Sequence, residues 1–409
     1  MHIVACRVCG GKDLKSFFDL GEHPLANSLL YSPEEKEEAY PLALVFCGEC
    51  SLVQLNFTVP PERLFSHYVW VTGTSKGANE FSEEFYKELI ARTSEPKAGY
   101  VLELASNDGT FLKPFKRDGY KVLGIDPAKN IAQMANEAGI PTEALFWGSA
   151  VAGEIKKKYG PAKMIFARNV LAHVADTRDF VRGIAECLAE GGTVAVEPHY
   201  GGKILEGLQY DSIYHEHLCY LTLVPIERVL RDQGLFTFDV LPSPISGGAI
   251  VVYAAKEKRP ETERLIAYRK MEEEKKVNMF ASWAEFAKRC YMHREKLNTM
   301  LKETVAQKKK IIGWGASARS STLLNFCKID SSLVTAIIDM NPLKQGKFTA
   351  GSHIRIVSAE EGMALKPERI FLTGWNFTKE IQGIAKERFG FVGDYLIPLP
   401  DEPRVEDSK

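Results

Sequence analysis

The spacing of hydrophobic and polar positions changes character twice along this chain. Up to about residue 67 the apolar runs are short. Residues 41–46 and 52–57 predict strands, set among turn-forming residues and without a long helical period between Cys9 and Cys47. From about residue 68 to 200, short apolar runs alternate with segments of helical spacing. Residues 100–104, 121–125, 164–167 and 193–196 read as strands. Residues 130–138 and 177–189 read as helices, the last closed by Gly191-Gly192. Strand–helix alternation of this kind predicts a parallel, doubly wound sheet. Beyond residue 201, strands are predicted at 236–240 and 249–254, joined by the Pro-, Ser- and Gly-rich stretch 242–248. Residues 261–308 form a long helical stretch whose interleaved charges mark a solvated face. A second strand–helix alternation then begins, with strands at 311–313, 334–339 and 369–373. The expected fold class is α/β in three parts: 1–67, 68–200 and 201–409.

Composition narrows the partners. The 409 residues are 45% hydrophobic and 26% charged, an ordinary globular balance. With 52 basic and 53 acidic residues there is no global cationic field to hold a nucleic acid, so none is expected as partner. The first residues lack the basic-then-apolar pattern of a secretory leader, and no apolar run reaches the ~18 residues of a membrane span. A cytoplasmic protein without a membrane partner is expected, with a monomer as its state.

In that setting paired cysteines point to metal before disulfide. Cys6 and Cys9 form one CxxC pair, Cys47 and Cys50 another, with Gly10 and Gly48 at the turns. Four thiolates complete a tetrahedral zinc site with no position left for substrate, so the zinc is expected to be structural.

Two glycine-rich turns follow. The first runs Leu102-Glu103-Leu104-Ala105-Ser106-Asn107-Asp108-Gly109, between a strand and a helix, and Asp126 closes the next strand where an acidic residue grips ribose hydroxyls. Glu103 and Asp108 would repel a pyrophosphate but suit a cationic, amino-bearing cofactor. S-adenosylmethionine is therefore favoured over a dinucleotide. Phe146 is a candidate to stack on adenine, and Asn169 lies at the ligand-facing edge of such a sheet. The second turn, Gly313-Trp314-Gly315-Ala316-Ser317-Ala318, is followed by Asp339. Read by itself it is a dinucleotide site and makes a nicotinamide-dependent oxidoreductase the main rival. Between the turns lies Tyr210-Asp211-Ser212-Ile213-Tyr214-His215-Glu216-His217, which concentrates phenol, carboxylate and imidazole. An enzyme that abstracts a proton needs such a group as base.

Together these features resemble the S-adenosylmethionine-dependent nucleotide-sugar C-methyltransferases, which act at C3 of 4-keto-deoxysugars. The cysteine pairs with His23-Pro24-Leu25-Ala26-Asn27 match the family's zinc-binding module, residues 102–109 its cofactor loop, Tyr214-His215-Glu216-His217 its active-site segment, and residues 313–320 its C-terminal glycine turn. Ala105, Trp70 and His215 depart from the usual residues. The resemblance implies a zinc module, a class I methyltransferase domain and a C-terminal Rossmann-like domain. It implies His217 as base, Glu216 as its orienting or substrate-binding neighbour, and Tyr214, Tyr68 and His173 lining the same pocket. Glu103, Ala105, Asn107, Asp108, Gly109, Asp126, Pro127, Phe146 and Asn169 would hold S-adenosylmethionine. Tyr200, Ser317, Arg319, Trp375 and Asn376 would bind the nucleotide-diphosphate sugar. An O-methyltransferase would use the same cofactor without forming a carbanion.

Overall fold

The computed structural model describes residues 1–65 and 71–408. The predicted site residue Tyr68, and Trp70, lie outside the described residues.

The first module is an antiparallel sheet of β1 (Leu14–Pro24), β2 (Ala39–Cys47) and β3 (Val53–Leu55), completed by β9 (Cys219–Tyr220) from far along the chain. Only β2 and β3 are visible in the sequence pattern. Two irregularities in the β1–β2 register, at Ser16/Phe18 and Asp19/Glu22, break the period-two alternation that would reveal β1.

The middle sheet contains β4 (Tyr100–Leu104), β5 (Lys121–Ile125), β6 (Thr142–Glu143), β7 (Ala162–Arg168), β8 (Leu188–Glu197), β10 (Phe236–Ser243) and β11 (Ala249–Ala255), ordered β10-β11-β8-β7-β4-β5-β6. Within it β11 is antiparallel to both its neighbours, β8 and β10. The strands predicted at 236–240 and 249–254, expected with the C-terminal part, thus hydrogen-bond to β8 and finish this sheet. Helix Thr177–Cys187 stops short of Ala189. β8 then starts at Leu188 and takes up the glycine pair in a register shift opposite Ala162–Met164.

β4 is buried on both faces, as parallel strands covered by helices are. Val101 faces an aromatic core with Phe81, Phe85, Phe111, Phe115 and Phe166. Leu102 and Leu104 face a second core that continues into the cysteine module and the C-terminal unit.

The C-terminal sheet has β12 (Ile311–Trp314), β13 (Ile337–Ile338), β14 (Ile356–Val357), β15 (Arg369–Phe371), β16 (Asp394–Ile397) and β17 (Arg404–Asp407), ordered β14-β13-β12-β15-β16-β17 and parallel but for β17. The long charged stretch before it is two helices, Glu263–Glu274 and Phe280–Ala306, parted where Lys276 turns left-handed (φ 53°). The cysteine module bridges both larger sheets. Thr177 donates to the Arg7 carbonyl at 2.6 Å, while Leu30 and Phe348 exchange backbone hydrogen bonds. Among the described residues no helix is long and apolar enough to cross a membrane.

Candidate active site

The four N-terminal cysteines converge. Their Sγ atoms lie within 4.8 Å of one another, with Cys6–Cys50 at 3.6 Å and Cys9–Cys47 at 3.5 Å. A disulfide would need about 2 Å. A tetrahedron of Zn–S bonds of about 2.3 Å has edges of about 3.8 Å, so the thiols fit zinc. The glycine expectation holds at Gly10 (φ 75°). At Gly48 the reason is space, since a Cβ there would meet Asp13 Oδ2 at 1.8 Å, and the left-handed residue of that turn is Ser51 (φ 62°).

The first glycine-rich turn leaves β4 at the point where the strand order reverses, between β5 and β7, which is where open α/β sheets bind ligands. Ala105 (φ 55°), Asn107 (φ 50°) and Gly109 (φ 73°) are all left-handed. An L-residue such as Ala105 adopts this conformation at a cost of about 1–2 kcal/mol. The Asp126 carboxylate accepts from Asn107 N and Ala128 N, each at 2.9 Å, holding the loop, with Pro127 between.

Glu103 is buried with Oε2 unpartnered, as is Ser106 Oγ. Burial pushes the Glu103 carboxyl well above its usual range. Arg168 pulls it down, and Asp108, Asp126 and Glu197 push it further up. An excess of buried carboxylates beside orphaned acceptor atoms fits a ligand carrying an amino group and a sulfonium. Phe146 stands 52% exposed three residues beyond Glu143, the β6 end whose carbonyl accepts from Asp126 N, whereas Trp147 is fixed by its bond to the Phe180 carbonyl. Asn169 (φ 49°) donates its N–H to Glu197 O at 2.7 Å beside the same sheet edge.

The His-rich segment hangs between domains. His217 Nδ1–H donates to the Ser212 carbonyl at 2.8 Å, which leaves Nε2 as the accepting nitrogen, and the Tyr214 hydroxyl donates to Nε2 at 2.8 Å. The His173 ring stands edge-on to His217 at 4.8 Å, and His199 is 6.5 Å away. Enclosure by protein lowers His217 well below the ordinary imidazole range, with the neighbouring histidines next in effect. Burial likewise takes His173 to about 4 and His199 to about 3. All three imidazoles are neutral at pH 7. Glu216 is buried and pushed up to about 7 by burial, against a 2.6 Å hydrogen bond from Asn27 Nδ2 of the cysteine module. His215 points instead to the Tyr40 carbonyl at 3.2 Å and is part of the module's packing.

The structure separates the remaining predicted residues. Tyr200 does not join the histidines; its hydroxyl donates to Glu272 at 2.7 Å. Ser317 is exposed and caps helix Ala318–Cys327 through Ser320 N. Arg319 and Trp375 both bond to Asp211. Asn376 is exposed, and a Cβ on Gly247 would lie 3.4 Å from Arg319 Nη1 and 3.8 Å from Asn376 Nδ2, so the 245–248 loop closes over this pair. Gly315 is crowded by backbone, since a Cβ there would meet Gly374 N at 2.7 Å. Close packing thus explains this glycine without a dinucleotide.

Comparison with known proteins agrees with this geometry. Residues 6–65 match a zinc binding domain, 78–237 a methyltransferase domain and 244–400 a C-methyltransferase C-terminal domain. C-methyltransferase NovU of Streptomyces niveus is 32% identical over 407 residues, covering 98% of this chain and 96% of the relative. This chain belongs to the C-methyltransferase family. Among solved structures, magnesium protoporphyrin IX methyltransferase from Synechocystis PCC 6803 is 12% identical, with a TM-score of 0.33 over 44% of this chain and 80% of that one. An S-adenosylmethionine-dependent methyltransferase from Clostridium acetobutylicum is 10% identical, with a TM-score of 0.36 over 45% and 94%.

The C-methyltransferase is an S-adenosylmethionine-dependent enzyme with a four-cysteine zinc site. Three residues near its histidines escape sequence reasoning: Asn27, His199 and Asp211. Asn27 and Asp211 lie inside stretches that the pattern singles out, but their partners are remote in sequence, and His199, just beyond the strand predicted at 193–196, comes beside His217 only in the fold.

Proposed function

We propose that the enzyme methylates C3 of a nucleotide-linked 4-keto-6-deoxysugar through an enolate, with His217 as base. The observation that carries this reading is the fixed tautomer of His217. Its Nδ1 proton is committed to Ser212, so Nε2 is the one nitrogen able to accept a proton, and it faces the Tyr214 hydroxyl. A ketone oxygen entering beside Tyr214 competes for the phenol proton and frees Nε2. The C3 proton then passes to Nε2, and its electron pair delocalises onto the keto oxygen, where the Tyr214 O–H stabilises the charge. One such donor is worth about 3 kcal/mol. S-adenosylmethionine supplies the methyl group that the carbon accepts.

In this reading Glu103 and Asp108 meet the cofactor's cationic end, Asp126 its ribose and Phe146 its adenine, while Asn107, Gly109, Pro127 and Asn169 shape the cradle. Glu216, near half-protonated at neutral pH, hydrogen-bonds a sugar hydroxyl. Ser317 and Asn376 face the nucleotide.

The test uses dTDP-4-keto-6-deoxyglucose and S-adenosylmethionine in deuterated water, read by mass spectrometry and NMR. A methyl gained at C3, lost in His217→Gln, supports the proposal. A methyl at C5, which the same ketone acidifies, moves the acceptor but keeps the mechanism. A methyl on oxygen refutes the carbanion.

A further inference from the structure

Four consecutive residues ahead of the base are each tied down. Tyr210 bonds through its hydroxyl to Cys327 Sγ at 3.2 Å and His293 Nδ1 at 3.0 Å. The Ile213 carbonyl accepts from Thr322 at 2.8 Å. The Ser212 carbonyl holds His217 Nδ1–H. Asp211 is almost wholly buried and accepts three hydrogen bonds: Arg319 Nε at 2.9 Å, Arg319 Nη2 at 2.8 Å and Trp375 Nε1 at 2.7 Å. The Arg319 guanidinium also lies over the Trp375 ring at 4.8 Å. Arg319, Thr322 and Cys327 all stand on one helix of the C-terminal unit.

We propose that Asp211 is a positioning residue for catalysis. Clamped by Arg319 and Trp375, it fixes the Ser212 carbonyl that keeps the proton of His217 on Nδ1. Arg319 and Trp375 then serve the base through Asp211 and are not ligands of the sugar nucleotide. A bidentate guanidinium–carboxylate pair supports this assignment, because it fixes orientation as well as distance. Asp211 is buried, so removing Arg319 leaves its charge without a partner. The inference rests on His217 being the base, and its tests separate the two claims.

The first test needs no substrate. Long-range 1H–15N correlation on 15N-histidine-labelled enzyme reports which ring nitrogen carries the proton, and His217→Gln assigns the signal. Wild type is expected to show Nδ1–H for His217. Asp211→Asn is expected to show mixed tautomers, with His199 and His173 unchanged. A pure Nδ1–H signal in Asp211→Asn overturns the proposal.

The second test is kinetic, with dTDP-4-keto-6-deoxyglucose as probe. In Arg319→Lys and Trp375→Phe, kcat and the rate of C3 deuterium uptake without S-adenosylmethionine are expected to fall together, by ~10- to 100-fold. KM for the sugar nucleotide should hold. A raised KM with kcat kept would make Arg319 and Trp375 substrate ligands and overturn the proposal. Trp375→Phe keeps the ring over Arg319, so it serves where Asp211→Asn fails to fold. An altered tautomer in an enzyme that neither exchanges nor methylates the probe upholds Asp211 and refutes the proposed reaction instead.

Discussion

Asn27 Nδ2 donates to Glu216 Oε1 at 2.6 Å across 189 residues of sequence, so the cysteine module reaches into the site beside His217. The same module pairs Val53 with Tyr220 and Gln54 with Cys219, just after Glu216 and His217. The active-site segment is thus hung on the zinc module at one end and on the C-terminal helix at the other.

Removing that amide should be felt most where Glu216 is ionised. Asn27→Ala is expected to destabilise the protein by about 1–3 kcal/mol at pH 8, since hydrogen bonds to charged groups are the stronger ones. The deficit should shrink at pH 5, where the carboxyl is protonated in the fold. Urea denaturation at the two pH values measures it. Equal losses at both would show that Glu216 does not titrate between them.

Glu216 itself should make the fold less stable in alkali. Its folded pKa is raised from 4.5 to about 7, so its contribution is fully present below 4.5 and is lost as pH rises through 7. Glu216→Gln does not titrate. Its stability relative to wild type should climb between pH 4.5 and 8 by about 3 kcal/mol, the equivalent of that shift. A flat difference across this range would mean that the carboxyl is not perturbed.

Zinc loss should propagate to the catalytic segment. Elemental analysis of the wild type is expected to give one zinc ion per chain, and Cys47→Ser is expected to abolish it, lower Tm, and raise amide exchange over residues 214–220 through β9. Exchange confined to residues 1–60 would uncouple metal from site.

Tyr214→Phe removes the hydroxyl from His217 Nε2. Binding of the sugar nucleotide should persist while kcat falls ~100-fold, within the range of acid–base contributions. An unchanged kcat would take Tyr214 out of the reaction.

Gly109 is left-handed at φ 73°, and a Cβ would stand 2.8 Å from Ile140 Cγ2. Gly109→Ala should weaken S-adenosylmethionine binding in calorimetry at least tenfold, because the loop must move outward to relieve the clash. A backbone cost of 1–2 kcal/mol alone corresponds to about that factor. Wild-type affinity in the variant would show that the loop does not form the cradle.

Much of the fold is written locally. β5 and β7 carry apolar runs at 122–125 and 164–167, and β4 carries one broken only by Glu103, because parallel strands are buried on both faces, and such runs stand out in any sequence. Helix Thr177–Cys187 is legible from the spacing of Phe180, Val181, Ile184 and Cys187 behind the Asp176 cap. β1 is hidden by its irregular register. The break at residues 275–279 is hidden because charged helical spacing runs through it unbroken, while Asn278 turns in to bond Glu272 and Trp283 bonds the Val277 carbonyl.

The site divides along the same line. Cys6, Cys9, Cys47 and Cys50 carry their chemistry in their spacing, and the run from Tyr210 to His217 declares a proton-transfer centre by composition. What each imidazole does depends on which oxygen its ring meets. His215 meets the Tyr40 carbonyl and His217 that of Ser212, and Asp211 is claimed by a guanidinium 108 residues away. Residue types and their local order therefore set which chemistries are available. Tertiary packing alone decided which nitrogen is left to take a proton, because tautomer and pKa follow from partners and burial that the chain acquires only on folding.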